Sequence, residues 1–326
     1  MKLVSLSLLG LTTAMAGLRP ANGLDWTPTV GQTWNYHLNA GDMAPEDVDP
    51  MVDVYMIDMD PDGIETTIAT LHAAGKFVVC YINVGTYEPW RLDRGDFPEE
   101  ALGTELSNWA PERWIDITYS APGAAEPVVY GIMKARIERA YGLGCDGIEP
   151  DNMSIAYEED NGITPRITKP QNIDYVKWFA DEVHNFLDPE TGVATNMKVG
   201  MKNLVWDDES TDDLAELAKS FDFAINEECA TYRECDLVKS WFMPSEGVGG
   251  GPPPTPKPVF HVEYRGDGDG AGTKKRHIKR ACGNSPAEFS TILKTYPLKG
   301  PFCTCDSNDN YRATWRCTRR LDRSYA

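Results

Sequence analysis

Eight short apolar runs rich in β-branched residues recur along this chain, at 33–38, 51–59, 76–84, 145–149, 198–201, 221–225, 257–263 and 289–293. Four of the intervals between them carry apolar residues at helical spacing, at 66–74, 130–141, 171–186 and 211–218. The first of these begins at a threonine and stops before Gly75, and the second stops before Gly142, which are start and stop signals for helices. Strands that alternate with helices build a parallel sheet, because each helix carries the chain back to the end where the next strand starts. Eight such units predict an α/β fold, a single closed (β/α)8 barrel of TIM type rather than an open sheet. In that architecture loops build a site at the C-terminal ends of the strands.

Two of the runs end in carboxylates. The run at 145–149 continues into Glu149-Pro150-Asp151-Asn152, and the run at 221–225 into Asn226-Glu227-Glu228. Residues two apart on a strand point to the same side, so Glu149 and Asp151 share a face. Carboxylates gathered at strand ends are what acid/base and nucleophilic work on sugars requires.

The 326 residues, 41% of them hydrophobic and nine of them tryptophan, suffice for one large core. Lys2, the apolar stretch 3–13 and Ala14-Met15-Ala16 read as an export signal, assigned to 1–16. The stretch is too short to cross a bilayer, so the mature protein is expected to be secreted, extracellular and monomeric. The barrel domain is assigned to 17–300, and a cysteine-rich tail, 301–326, is expected to pack on it. A net charge of −19 argues against nucleic acid and anionic membranes and is compatible with a cationic polymer. Eight cysteines in an exported chain predict disulfides. Cys229 with Cys235 is the first pair suggested, and Cys282, Cys303, Cys305 and Cys317 are expected to pair among themselves. Cys80 and Cys145 sit inside apolar runs and read at least as readily as buried free thiols. Glycine- and proline-rich 247–256 and the stretch 266–279 read as surface-loop insertions.

Several blocks, in order, resemble glycoside hydrolase family 114, the endo-α-1,4-polygalactosaminidases. They are 52–58, 67–76, 79–88, Gly147-Ile148-Glu149-Pro150-Asp151-Asn152, Gly200-Met201-Lys202-Asn203, Asn226-Glu227-Glu228-Cys229, 258–264 and 289–294. The resemblance spans residues 24–298 and implies a (β/α)8 fold. It also implies a polysaccharide substrate, a cationic galactosamine polymer of the galactosaminogalactan type, with no cofactor and no metal. It places the catalytic pair on Asp151 and Glu227. Asn83 and Val84 depart from the small residues the family pattern has there, and the two insertions and the tail lie outside it.

On that reading Asp151 is the nucleophile and Glu227 the general acid, then base, in a retaining mechanism. Lys202 supplies a cation and Asn152 a hydrogen bond that keep Asp151 ionised. Glu149, on the face of Asp151, reads as an inner hydrogen-bonding carboxylate and as the runner-up nucleophile. Asp58, Tyr81, Asn226, Glu263 and Tyr264, at strand ends, and the aromatics Tyr87 and Trp90 are candidates for contacting sugar. Two other functions are open to the same residues. A lectin-like barrel would bind the polymer without cutting it. A metal-assisted hydrolase would use Asp58, Asp60, Glu149 and Asp151 as oxygen ligands. No glycine-rich phosphate loop follows a strand. Asn152-Met153-Ser154 is an acceptor pattern for glycosylation and is predicted to be unmodified, since a glycan there would fill the proposed cleft.

Overall fold

The computed structural model describes residues 25–204, 211–245, 253–264, 281–294, 298, 302–306 and 314–317. The export signal at 1–16 and most of the insertions at 247–256 and 266–279 lie outside the described residues. Numbered in chain order, the strands of the main sheet are β1 (Trp34–Tyr36), β2 (Val54–Asp58), β3 (Phe77–Asn83), β7 (Gly147–Asp151), β8 (Lys198–Lys202), β9 (Phe223–Glu227), β10 (Val259–Tyr264) and β11 (Ser290–Lys294). They follow one another in that order as parallel neighbours in one curled sheet. Each coincides with one of the eight predicted runs. Central strands such as β3 are buried almost throughout, which is why they read as unbroken apolar runs rather than alternating ones.

Helices α1 (Ile64–Ala73), α2 (Val128–Leu143), α3 (Lys169–His184) and α4 (Thr211–Leu217) lie at the four predicted places. α3 opens with a capping box, Thr168 accepting from the Gln171 amide, and α2 closes on Gly144 at φ 93°.

The strands β7 and β9 run two residues beyond the predicted apolar runs. The ladder pairs Tyr81 with Glu149 and Asn83 with Asp151, so it continues through side chains that are polar. Hydrophobicity therefore marks where the core ends, not where the strand does.

Among the described residues, β1 and β11 meet through Trp34 Nε1 donating to the Ser290 carbonyl at 2.6 Å and Ser290 Oγ donating to the Gln32 carbonyl at 2.7 Å. The free edge of β11 is laddered instead to the tail strand β12 (Cys303–Asp306), itself antiparallel to β13 (Thr314–Cys317). The result is a curled, parallel-dominated sheet, consistent with a TIM-like barrel. The tail, which has no usable periodicity, supplies two strands that cover an exposed edge.

The interior is plugged away from the carboxylates. Trp26 packs on Phe77 and Phe223, and Phe223 on Phe260, with ring centroids 5.4–5.6 Å apart. Glycines at 147 and 200 make room, since a Cβ at Gly200 would lie 2.3 Å from Ile225 and 2.4 Å from Phe223.

Three further strands, β4 (Thr86–Tyr87), β5 (Leu102–Glu105) and β6 (Arg113–Ile115), form a small antiparallel sheet between β3 and α2. Neither this sheet nor the short helices α5 (Cys229–Tyr232) and α6 (Cys235–Phe242) is among the predicted elements. Cys229 is bonded to Cys235, and Cys282 to Cys305. Cys80 is bonded to Cys145, which corrects the reading of both as free thiols. They are 65 residues apart in sequence and become neighbours only because β3 pairs with β7.

Candidate active site

Six parallel strands deliver one polar cluster at their C-terminal ends. Lys202, the last residue of β8, is buried, and its ammonium is the hub. Nζ lies 2.9 Å from Glu149 Oε1, 3.0 Å from Asp151 Oδ1 and 3.6 Å from Glu227 Oε2, and donates to the Tyr36 hydroxyl at 3.0 Å. Burial works against a charged lysine, but Asp151, Glu149 and Glu227 outweigh it and hold the Lys202 pKa well above its ordinary value.

Asp151 accepts Lys202 on Oδ1 and the Tyr81 hydroxyl, at 3.1 Å, on Oδ2. Burial and the Asp151 charge both raise the Tyr81 pKa, so the phenol keeps its proton and donates. Glu227 is fixed at three points. Asn203 Nδ2 donates to its Oε2 at 3.0 Å, its own amide donates to Asn203 Oδ1 at 2.9 Å, and the Tyr264 hydroxyl donates to its Oε1. The side chains of Asp151 and Glu227 are 22% and 26% exposed, whereas that of Glu149 is wholly buried. The first two carboxylates therefore reach solvent and the third does not. Because Asp151 and Glu227 flank one ammonium, their nearest oxygens are separated by no more than about 7 Å, which is a spacing that two carboxyls acting on one glycosidic bond need.

The chain leaves each of these strands abruptly. Asn152 after β7, Asn203 after β8 and Glu228 after β9 have φ of 56°, 52° and 62°. Non-glycine residues in the left-handed region are uncommon and collect at functional sites.

A second charged group lies at the end of β2. Arg91 binds Glu88 through two nitrogens at 2.5 and 2.8 Å, Asp58 Oδ1 at 2.5 Å and Asp60 Oδ2 at 3.0 Å, and its guanidinium lies over the Tyr81 ring. Tyr87 packs edge-on against Phe97, and Trp90 is 54% exposed. Asn152 Nδ2 donates to Thr86 Oγ1 at 3.3 Å. Thr86 in turn donates to Glu112 Oε2 at 3.0 Å, and burial followed by the nearby Glu88 pushes the Glu112 carboxyl up to about 7.

Of the residues predicted to touch substrate, the structure gathers Asp151, Glu227, Lys202, Tyr81, Tyr264, Glu149 and Asn152 into one region. Asp58 lies beside it, held by Arg91. Asn226 and Glu263 are placed elsewhere. Both are 2% exposed, Asn226 Oδ1 accepts from the Cys229 amide at 3.1 Å, and Glu263 accepts from the amides of Ala230 and Thr231 and from the Thr231 hydroxyl. They satisfy the open amides of helix α5 instead of meeting a sugar. Glu149 likewise has no surface to offer a substrate. Tyr36 and Asn203 are absent from the predicted set. Asn203 was adjacent to Lys202 in a recognised block, while Tyr36 carried no local signal at all.

Each carboxylate expected as a metal ligand is instead paired with a basic side chain. Asp58 and Asp60 are bound by Arg91, Asp60 also by Arg139, and Glu149 and Asp151 by Lys202. Cys229, Cys235 and His261 also cluster, but the two sulfurs are consumed by their disulfide.

Comparison with known proteins bears on the family and the fold. The sequence profile of glycoside-hydrolase family GH114 matches residues 15–310. The crystal structure of Aspergillus fumigatus Ega3 in complex with galactosamine is similar at 32% identity and TM-score 0.66, over 84% of this chain and 95% of that one. The glycoside hydrolase domain of PelA from Pseudomonas aeruginosa is similar in fold at 13% identity and TM-score 0.52, over 83% of this chain and 96% of that one. No curated protein matches the chain.

Proposed function

The chain belongs to glycoside-hydrolase family GH114, and on that premise we propose that it is a secreted endo-hydrolase of α-1,4-linked galactosamine polymers acting with retention. The observation that carries this reading is the pair Asp151 and Glu227, delivered by β7 and β9 to either side of one ammonium. The similarity to Ega3, solved with galactosamine, supports the sugar class. The three disulfides among the described residues support an oxidising, extracellular setting. We take the working unit to be a monomer and the curled sheet to be a closed (β/α)8 barrel.

Asp151 attacks the anomeric carbon, and the bond to the leaving oxygen breaks as Glu227 gives that oxygen its proton. A water then attacks the same carbon, Glu227 takes the water's proton, and the Asp151 carboxylate leaves. Lys202 and Tyr81 hold Asp151 aimed between these steps. Retention goes with carboxyl groups roughly 5–5.5 Å apart and inversion with groups about 6.5–9.5 Å apart. A shared ammonium favours the shorter class.

Partially deacetylated galactosaminogalactan, incubated with the enzyme and followed by mass spectrometry and proton NMR, tests the proposal. New reducing ends, released first as the α anomer within the chain, are expected. Binding without new ends would leave a lectin, and initial release of the β anomer would replace retention by inversion.

A further inference from the structure

Glu149 is a fully buried carboxylate below the proposed cleft, too deep to touch a sugar, yet it makes two of the shortest contacts in the cluster. Its Oε1 accepts from Tyr36 at 2.6 Å and from Lys202 at 2.9 Å, while its Oε2 has no hydrogen-bond partner among the described residues. Leaving one oxygen of a buried carboxylate unpaired is costly. The side chain is therefore placed for its neighbours rather than for its own satisfaction.

An ammonium has three N–H groups. Three acceptors lie within 3.0 Å of Lys202 Nζ, namely Glu149 Oε1, Asp151 Oδ1 and the Tyr36 oxygen. Glu227, at 3.6 Å, is a fourth and outlying neighbour. Glu149 is responsible for two of the three inner positions. It binds the ammonium directly, and by accepting the Tyr36 O–H hydrogen bond it turns that hydroxyl's lone pair toward the lysine.

We propose that Glu149 is a positioning residue for the cleavage reaction, anchoring the Lys202 ammonium on the Asp151 side of the cleft floor and leaving the Glu227 carboxyl free to hold and return a proton. This rests on the assignment of Asp151 and Glu227 made above. A cation that settled on Glu227 would favour its ionised form and strip the general acid of its proton at a lower pH. The anchor matters most in the glycosyl-enzyme. There Asp151 is a neutral ester, and Glu149 is the carboxylate that keeps the lysine from Glu227 while Glu227 takes a proton from water. The titratable groups facing this ammonium come from every strand around it, Tyr36 from β1, Tyr81 from β3, Glu149 and Asp151 from β7, Glu227 from β9 and Tyr264 from β10.

The test is the pH profile of kcat and kcat/KM on partially deacetylated galactosaminogalactan for Glu149→Gln, which keeps the shape and an acceptor but removes the charge. The alkaline limb is expected to move about one pH unit lower, a tenfold change in proton activity, with KM changed by no more than about twofold. Tyr36→Phe, which removes one inner acceptor and leaves Glu149 in place, is expected to move the limb the same way by less, and it carries the test alone if the glutamine variant does not fold. Folded variants whose whole profile is scaled down with the limb unmoved would overturn the anchor and leave Glu149 a structural residue. Activity surviving in both Asp151→Asn and Glu227→Gln would remove the underlying assignment, a different result from an unmoved limb.

Discussion

Tyr264 ends β10 with its hydroxyl donating to Glu227, and Asn203 holds the other oxygen and the backbone of the same residue. Glu227 is thus oriented by the last residue of β10 and the residue that follows β8, neither of them near it in sequence. Removing the phenol in Tyr264→Phe is expected to lower kcat about tenfold with little change in KM, because an orienting hydrogen bond is lost and not a binding surface. Asp151→Asn and Glu227→Gln should each lower kcat by roughly a thousandfold or more with the circular dichroism spectrum unchanged. Near-normal turnover in Asp151→Asn would take that residue out of its role. Asn152 donates its amide to Thr86 and sits at φ 56°, so it is expected to carry no glycan. Peptide mapping of the protein produced in a glycosylating host checks this, and a glycan on Asn152 would count against the proposed site.

At the level of elements, the turn after β7 is packed onto the turn after β3. A Cβ at Gly85 would lie 1.7 Å from the Asn152 carbonyl oxygen, which is main chain and cannot swing aside. Gly85→Ala is therefore expected to displace the turn that presents Asp151, costing about 1–3 kcal/mol in urea denaturation and most of the activity. The Cys80–Cys145 bond ties the same two strands across 65 residues of chain. Replacing both cysteines by serine should cost roughly 2–4 kcal/mol and leave the cleft chemistry in place. Strand existence was legible from apolar runs in all eight parallel cases, because these strands are covered on both faces. Their ends were not, because β7 and β9 finish in polar residues that serve the site. The small sheet β4–β6–β5 was illegible for a related reason, since its strands are two to four residues long and only partly buried.

For the molecule as a whole, a net charge of −19 is compatible with steering of a cationic polymer, the substrate class proposed above. Raising ionic strength is expected to raise KM for deacetylated substrate and to change kcat little, and a salt-insensitive KM would remove steering from the account. Stability should also depend on pH through Glu112. Its carboxyl is raised to about 7 by burial and Glu88, so its protonated form favours the fold, and that contribution is lost as pH rises from the ordinary carboxyl range through 7. Glu112→Gln is accordingly expected to raise Tm relative to the parent at alkaline pH and to leave it unchanged at acid pH. Equal Tm differences at both would show that the titration of Glu112 is not the cause.

Local pattern alone determined that eight parallel strands would form, where four of the helices would lie, and that two strands would end in carboxylates. These follow from burial and periodicity, which a chain carries residue by residue. Only the tertiary structure decided that Lys202 would stand between Asp151 and Glu227, that Tyr36 from the first strand would join them, and that Asn226 and Glu263 would serve a short helix instead. The tail strand on the edge of β11 and the Cys80–Cys145 bond were decided in the same way. Each depends on which strands become neighbours when the sheet curls, and distance across a curled sheet is not written in the spacing along the chain.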